Sequence, residues 1–281
     1  MRTKSYVVTG ASTGIGRACV AELARAGAHV WAAVRTGKDE QALRDAHGDA
    51  VTVLRMDLTD EATVHAAGER VRAAGPLHGL VDNAGVALPG PLEHIPIDVF
   101  RRQIEVNLVG QLAVTQEMLP ALRQARERGQ DARIVMIGSI GGRIAGPMLG
   151  AYHASKFGLV GLADTLRAEL APSGIPVILI EPGAIATPIW TRGAAAGDEL
   201  IGQVPAAGRE RYAAQVAAAR KQATRSASRG LPPQRAAQIV VRALTTRNPR
   251  PRYLVGTDAH AAAVVATLPY RLRYRLTAAR R

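Results

Sequence analysis

The chain has 281 residues, 47% hydrophobic but only 4% aromatic, and a formal net charge of +13. A single cysteine, Cys19, excludes an intramolecular disulfide and a cysteine metal cluster; it sits among Ala18, Val20 and Leu23 and reads as a small core residue. No run of eighteen apolar residues occurs, so no spanning helix is expected. The charge is uneven. Residues 1–208 hold 20 Lys/Arg and 21 Asp/Glu, whereas residues 209–281 hold 16 Lys/Arg against Glu210 and Asp258 alone. Met1 leads through three residues into a strand-like run without a signal peptide, so a cytoplasmic protein is expected.

In chain order, short apolar runs at 5–9, 28–34, 51–56, 79–81, 133–137, 177–180 and 252–255 read as strands. Helical stretches are expected at 14–27, 38–47, 60–74, 97–128, 151–171, 198–226 and 232–246. Strands apolar throughout and alternating with helices predict an α/β, doubly wound parallel sheet. One Rossmann-type domain is expected over 1–257, with 193–230 as a helical substrate lid and 258–281 as a basic, partly helical extension.

The segment from Thr9 to Gly16 joins the first strand to the first helix. Gly10, Gly14 and Gly16 permit a tight turn and close backbone approach to a pyrophosphate. The helix N-terminus supplies oriented N–H groups and a favourable dipole. After the second strand, Arg35 stands where an acidic residue would accept bonds from the 2′-hydroxyl of NAD. An arginine there suits a 2′-phosphate, and the expected cofactor is NADP.

Tyr152 and Lys156 stand four residues apart, on one face of an expected helix. The chain keeps four lysines among thirty-two arginines, so a lysine here suggests a role arginine cannot fill. An ammonium beside a phenol favours the phenolate and is expected to lower the Tyr152 pKa, giving a usable general acid/base. Taken alone, the pair also fits an ordinary helix face carrying a solvated lysine.

With the glycine loop and this pair in place, the chain resembles the short-chain dehydrogenase/reductase family over nearly all of residues 1–190. The glycine spacing matches the family's shorter branch, and the segments 157–170 and 182–190 are similar to retinol and hydroxysteroid dehydrogenases. The resemblance implies a catalytic set of Asn107, Ser139, Tyr152 and Lys156, with Ser139 thirteen residues before the tyrosine. It implies cofactor contacts from Gly10, Ser12, Thr13, Gly14, Ile15 and Gly16 in the loop. Further contacts come from Arg35, then Asp57 and Leu58 after the third strand, and Asn83, Ala84 and Gly85 after the fourth. Tyr152 and Lys156, and Pro182, Gly183, Ile185 and Thr187 beyond the sixth strand, complete the set. Two positions depart from common forms. Asp82 replaces the more frequent Asn before Asn83 and is expected to affect strand-end bonding rather than chemistry. Thr13 stands where some NADP-preferring members carry a basic residue.

The implied reaction is hydride transfer between NADP(H) and a carbonyl or alcohol carbon, with Ser139 and Tyr152 bonding the oxygen, Lys156 stabilising the phenolate and Asn107 holding a relay water. No metal is expected. Ile140, Ile144, Met148, Leu149, Ile185, Ile189 and Trp190 suggest an apolar pocket and a small lipophilic alcohol or ketone. Arg143 and Arg192 read as exposed rim residues. The family implies a homo-oligomer packed through 97–128 and 151–171. The end of the chain suggests a different contact. On one helix Leu268, Leu272 and Leu276 would share a face flanked by Tyr270, Tyr274 and arginines, suited to peripheral contact with an anionic membrane, to capping the pocket, or to another subunit. No nucleic-acid motif accompanies the charge, so no nucleic-acid partner is expected. A non-catalytic dinucleotide-binding regulator or scaffold is the alternative, although it would have no use for a proton donor.

Overall fold

The computed structural model describes residues 3–278, with side chains as far as Arg275. Among the described residues there are seven strands: β1 (Ser5–Val8), β2 (His29–Val34), β3 (Val51–Arg55), β4 (Gly79–Asp82), β5 (Arg133–Ile137), β6 (Val177–Pro182) and β7 (Arg252–Val255). They form one sheet in the order β3-β2-β1-β4-β5-β6-β7. Every neighbouring pair is parallel. All seven lie where the apolar runs place them, with ends shifted by at most two residues.

Side chains of a strand alternate between the two faces, and here both faces are covered. On one face Val8, Val30, Val81, Val135 and Ile178 pack with Cys19, Val20 and Leu23 of α1 (Gly14–Arg25) and with Ala236, Val240 and Leu244 of α9 (Pro233–Thr245). On the other, Val7, Leu54, Leu80, Ile134, Met136 and Leu179 meet α3 (Glu61–Ala74), α5 (Gly110–Glu127) and α6 (Gly150–Leu170). Each fully buried Val or Leu contributes about 1.5–3 kcal/mol. That explains why the strands read as unbroken apolar runs. The strand order reverses between β1 and β4, which opens a crevice at their carboxyl ends, the usual ligand position in such sheets.

The remaining helices are α2 (Gly37–His47), α4 (Ile97–Ile104), α7 (Ile189–Gln203), α8 (Ala206–Arg229), α10 (Thr257–Ala266) and α11 (Tyr270–Ala278). Three expected helices differ in detail. The 97–128 helix is α4 and α5 joined by a π turn over Glu105–Val109. Gly110 follows the turn and lets the helix approach Leu58, whose carbonyl would lie 2.6 Å from an added Cβ. The 198–226 stretch is two helices, α7 and α8. Pro205 removes an N–H and holds Val204 extended, ending α7. The terminal helix is also two, because Pro269 starts a new one after the N–H groups of Thr267 and Leu268 have closed α10. Leu268 therefore lies outside α11 and does not share its face with Leu272, and the Leu276 side chain lies outside the described residues. No helix among the described residues is long and apolar enough to cross a membrane.

Candidate active site

The loop between β1 and α1 forms a cradle. Gly10 and Gly14 adopt φ of 61° and 57°, a left-handed conformation that favours glycine. A Cβ on Gly16 would run into the Gly10 carbonyl and the Asn83 amide. Thr13 begins α1 without a side-chain cap, leaving the first-turn N–H groups for an acceptor in the crevice. Ser12, Thr13 and Ile15 are half-buried around this turn. Thr9 locks the loop to the end of β4. Its Oγ1 accepts from the N–H of Asn83 at 2.8 Å and of Ala84 at 3.0 Å, and its carbonyl accepts from Asn83 Nδ2 at 2.8 Å.

Arg35 projects exposed beyond β2. Its charge and that of Arg102 act on Asp57, after β3. Partial burial pushes the Asp57 carboxyl up, but bonds from the Thr59 N–H and hydroxyl, with the two arginines, hold it below the ordinary carboxylate value. The next residue, Leu58, is buried. Gly85 is exposed at the crevice.

Asn107 lies in the π turn and is fully buried. Its Oδ1 accepts from the Val86 N–H at 2.9 Å. Its Nδ2 donates to the Val86 carbonyl at 3.0 Å and to Ser155 Oγ at 3.1 Å. The side chain thereby joins the loop after β4 to α6. Gln103 repeats the device one turn earlier, bridging Val86 and Leu88, and Gln111 donates to Ala84.

Ser139 follows β5 and Tyr152 lies in the first turn of α6. The Ser139 hydroxyl accepts from the Gly141 N–H at 2.9 Å and lies close enough to the Tyr152 phenol to act on it. His153 fixes this loop to the helix: Nδ1 donates to the Gly141 carbonyl at 2.9 Å while Nε2 accepts from Gly146. Lys156 is buried, donates from Nζ to the Ile137 carbonyl at 2.8 Å, and stands 5.9 Å from the centre of the Tyr152 ring. The expected depression of the tyrosine pKa does not follow from this geometry. Burial pushes the phenol up, Ser139 opposes that only in part, and the ammonium is turned to a backbone carbonyl. Burial in turn pushes Lys156 down, with Asp82 opposing.

Beyond β6, Gly183 donates to Val255 at 2.9 Å, and Ala184 donates to the Asp258 carboxylate at 2.7 Å. Ile185 is buried and bridged to Leu231. Trp190 donates from its indole to the Ile185 carbonyl at 2.7 Å. Thr187 abuts Gly14, so the segment after Pro182 closes onto the phosphate loop.

A family model described as a short chain dehydrogenase matches residues 4–196. The chain belongs to the short-chain dehydrogenase family. This short-chain dehydrogenase is 36% identical over 195 residues to an NADPH-dependent 3-dehydrocapnine reductase of Ornithobacterium rhinotracheale, covering 68% of this chain and 69% of that one. It is 37% identical over 187 residues to retinol dehydrogenase 5 of Mus musculus, covering 65% and 57%. A solved short-chain dehydrogenase from Streptomyces avermitilis superposes with a TM-score of 0.77 at 29% identity, covering 100% of this chain and 98% of that one. The protein is thus an oxidoreductase of a family that binds NAD(P), and the glycine cradle with its uncapped helix start fits the pyrophosphate of such a cofactor.

Contacts join Gly10 to Asn83, Gly14 to Thr187 and Tyr152 to Lys156, whereas Arg35 stands exposed beyond β2 and Ile185 is packed into the core. Several polar groups that support the site are not legible in the sequence: Gln103, Gln111, Ser155 and Glu181, which are buried, and the exposed Asp258. From the sequence alone Asp82 reads as a strand-end variation. The available signal was a charged residue closing an apolar run, which both Asp82 and Glu181 are. Arg143 is no rim residue; it is half-buried and bonded to Glu181. No group of metal-ligating side chains occurs among the described residues.

Proposed function

We propose that this short-chain dehydrogenase transfers a hydride between NADP(H) and the carbonyl or alcohol group of a lipophilic small molecule, with Tyr152 as general acid/base. The observation that carries this reading is the buried Lys156 ammonium 5.9 Å from the centre of the Tyr152 ring, one helical turn behind it, with Ser139 beside the phenol. The nicotinamide, when bound, supplies or takes the hydride. Ser139 and Tyr152 hold the substrate oxygen, where negative charge grows during reduction. Burial keeps the phenol protonated at neutral pH, which suits a donor. Lys156 carries the charge that stabilises the phenolate once the proton has left. Asn107 fixes the π turn against α6 and so sets the floor under the lysine. NADP is favoured over NAD by the exposed Arg35, and one relative is NADPH-dependent by name. Cofactor contacts are assigned to Gly10, Ser12, Thr13, Gly14, Ile15, Gly16, Arg35, Asp57, Leu58, Asn83, Ala84, Gly85, Pro182, Gly183 and Thr187.

An apolar substrate is favoured by a cleft of about 180 Å³ lined by Pro91, Leu92, Met148 and Tyr212 and bordered by Gly150, two residues before Tyr152. Retinol dehydrogenase 5 points to the same substrate class. A homo-oligomer is favoured by Val109 and Phe157, each 45% exposed on the two expected packing stretches. Peripheral contact with an anionic membrane through α11 is favoured by Tyr270, Leu272 and Tyr274, all exposed in an arginine-rich helix.

NADPH oxidation with a panel of lipophilic ketones and aldehydes tests the reading, alongside Tyr152→Phe. Loss of turnover by about 10²-fold or more, with NADPH affinity kept, is expected. Near-normal turnover in the variant would overturn the role of Tyr152.

A further inference from the structure

Asp82 ends β4 beside Met136 of β5 and is 1% exposed. Its Oδ2 accepts from the Thr115 hydroxyl of α5 at 2.9 Å. Its Oδ1 is buried with no hydrogen-bond partner. One residue beyond Met136, the Ile137 carbonyl takes the Lys156 Nζ at 2.8 Å. Carboxyl and amine thus lie between the same two strand ends and the α5–α6 layer, both out of water. An amide at position 82 could keep the Thr115 bond and would not carry a charge into the interior. A carboxylate there is costly unless a buried cation answers it.

The groups facing the pair are few. From its own helix Lys156 meets the Tyr152 phenol. From β4 the charge of Asp82 acts on it without a direct ion pair, and Thr9 of the neighbouring loop, which is neutral, acts on Asp82. The side chain that α5 presents to Asp82, Thr115, is neutral, as are Asn107 in the π turn and Ser155. Burial raises Asp82 and lowers Lys156, and each opposes the shift of the other. No other charge enters for either group.

We propose that Asp82 is a positioning residue that acts through Lys156: its carboxylate keeps the buried lysine in the ammonium form as the pH rises, so that a cation stands behind Tyr152. The proposal rests on the Tyr152 and Lys156 reading. It assigns a role to a residue that the sequence alone would class as a strand-end variation. As pH rises the two groups lose protons as a coupled couple rather than as independent sites, and no further reactant is needed.

The test is Asp82→Asn with two readouts. The chain has only four lysines, so protein labelled with ¹³C at lysine Cε gives few signals, and Lys156→Arg identifies the one of interest. The Lys156 titration midpoint is expected to fall by roughly one pH unit or more in Asp82→Asn, without substrate or cofactor. The alkaline limb of the kcat/KM profile is expected to move down with it. An unmoved midpoint in the folded variant overturns the proposal. A midpoint that moves while the limb stays fixed also overturns it, since Asp82 would then pair with a lysine whose charge the reaction does not use. Where Asp82→Asn does not fold, Thr115→Val weakens the carboxylate and should lower the midpoint in a smaller step; no change there counts against the proposal. Failure of the underlying reading shows separately, as retained turnover in Tyr152→Phe.

Discussion

Arg143 grips Glu181 through a two-pronged fork, 2.7 Å from Nε to Oε1 and 2.6 Å from Nη2 to Oε2. The carboxylate is fully buried in β6, and Arg252 of β7 closes on it with bonds of 3.1 and 2.9 Å. The fork ties the loop after Ser139 to the strand end that precedes Pro182 and Gly183. Removing one guanidinium leaves a buried carboxylate half-answered. Arg143→Ala is expected to lose about 3–5 kcal/mol of stability, measured by urea unfolding. Arg143→Lys should recover only part, because an ammonium makes no planar fork. A loss under about 1 kcal/mol in Arg143→Ala would show that the fork is not holding the loop.

Arg35 stands exposed at the outer end of the crevice and presents its guanidinium to solvent beyond β2. Charge-assisted bonds to a 2′-phosphate are worth about 1.5–3 kcal/mol. Arg35→Ala is therefore expected to weaken NADPH about tenfold or more, while NADH changes little. Isothermal titration of both cofactors checks this. Tighter binding of NADH than NADPH to the native protein would exclude the NADP assignment.

Stability should depend on pH through Asp82. Burial pushes its carboxyl up to about 8, above an unfolded value near ~3.9. The native state then holds the proton more tightly than the unfolded chain. Its contribution is complete below the unfolded value and is lost as pH rises through the folded one. Asp82→Asn removes that titration. The stability of wild type relative to the variant is expected to fall as pH rises from about 4 toward neutrality, by roughly 1 kcal/mol or more; above that range the coupled Lys156 titrates as well. Unfolding midpoints in urea at several pH values measure it, and a constant difference would show that Asp82 does not titrate as a buried acid.

The C-terminal helix gives a prediction about surfaces. Among described residues Tyr270 is 72% exposed, and the last 73 residues hold 16 basic side chains against two acidic. Two copies of such a surface repel, whereas an anionic bilayer attracts it. Vesicles of mixed phosphatidylcholine and phosphatidylglycerol are expected to sediment the protein at low salt and to release it as salt screens the charges. Deletion of residues 270–281 should abolish sedimentation. Binding to random DNA without sedimentation would assign the charge to nucleic acid.

Much of the fold was legible because parallel strands buried on both faces leave continuous apolar runs, and the glycine loop marks where the first of them ends. What the chain concealed is tertiary. The π turn at Glu105–Val109 leads into Gly110, which packs against Leu58, a residue far away in sequence. The breaks at Pro205 and Pro269 were readable from proline alone. The shift of Tyr152 runs opposite to the expectation because spacing places Lys156 nearby without saying where its Nζ points; Ile137 takes it. The partners of Glu181 and Asp258 likewise come from strands and loops that only the closed sheet brings together.

Cys19 gives this protein a built-in clock. Its thiol is fully buried on α1, the helix whose start forms the phosphate cradle, and burial raises its pKa, so that thiolate is scarce. A thiol reagent can reach it only when that helix lifts from the sheet. The labelling rate therefore counts openings of the cofactor-binding half of the crevice, with no second cysteine to confuse the signal. A dinucleotide seated at the mouth of α1 should slow that clock, and the degree of slowing would report how firmly an occupied cradle holds its own wall in place.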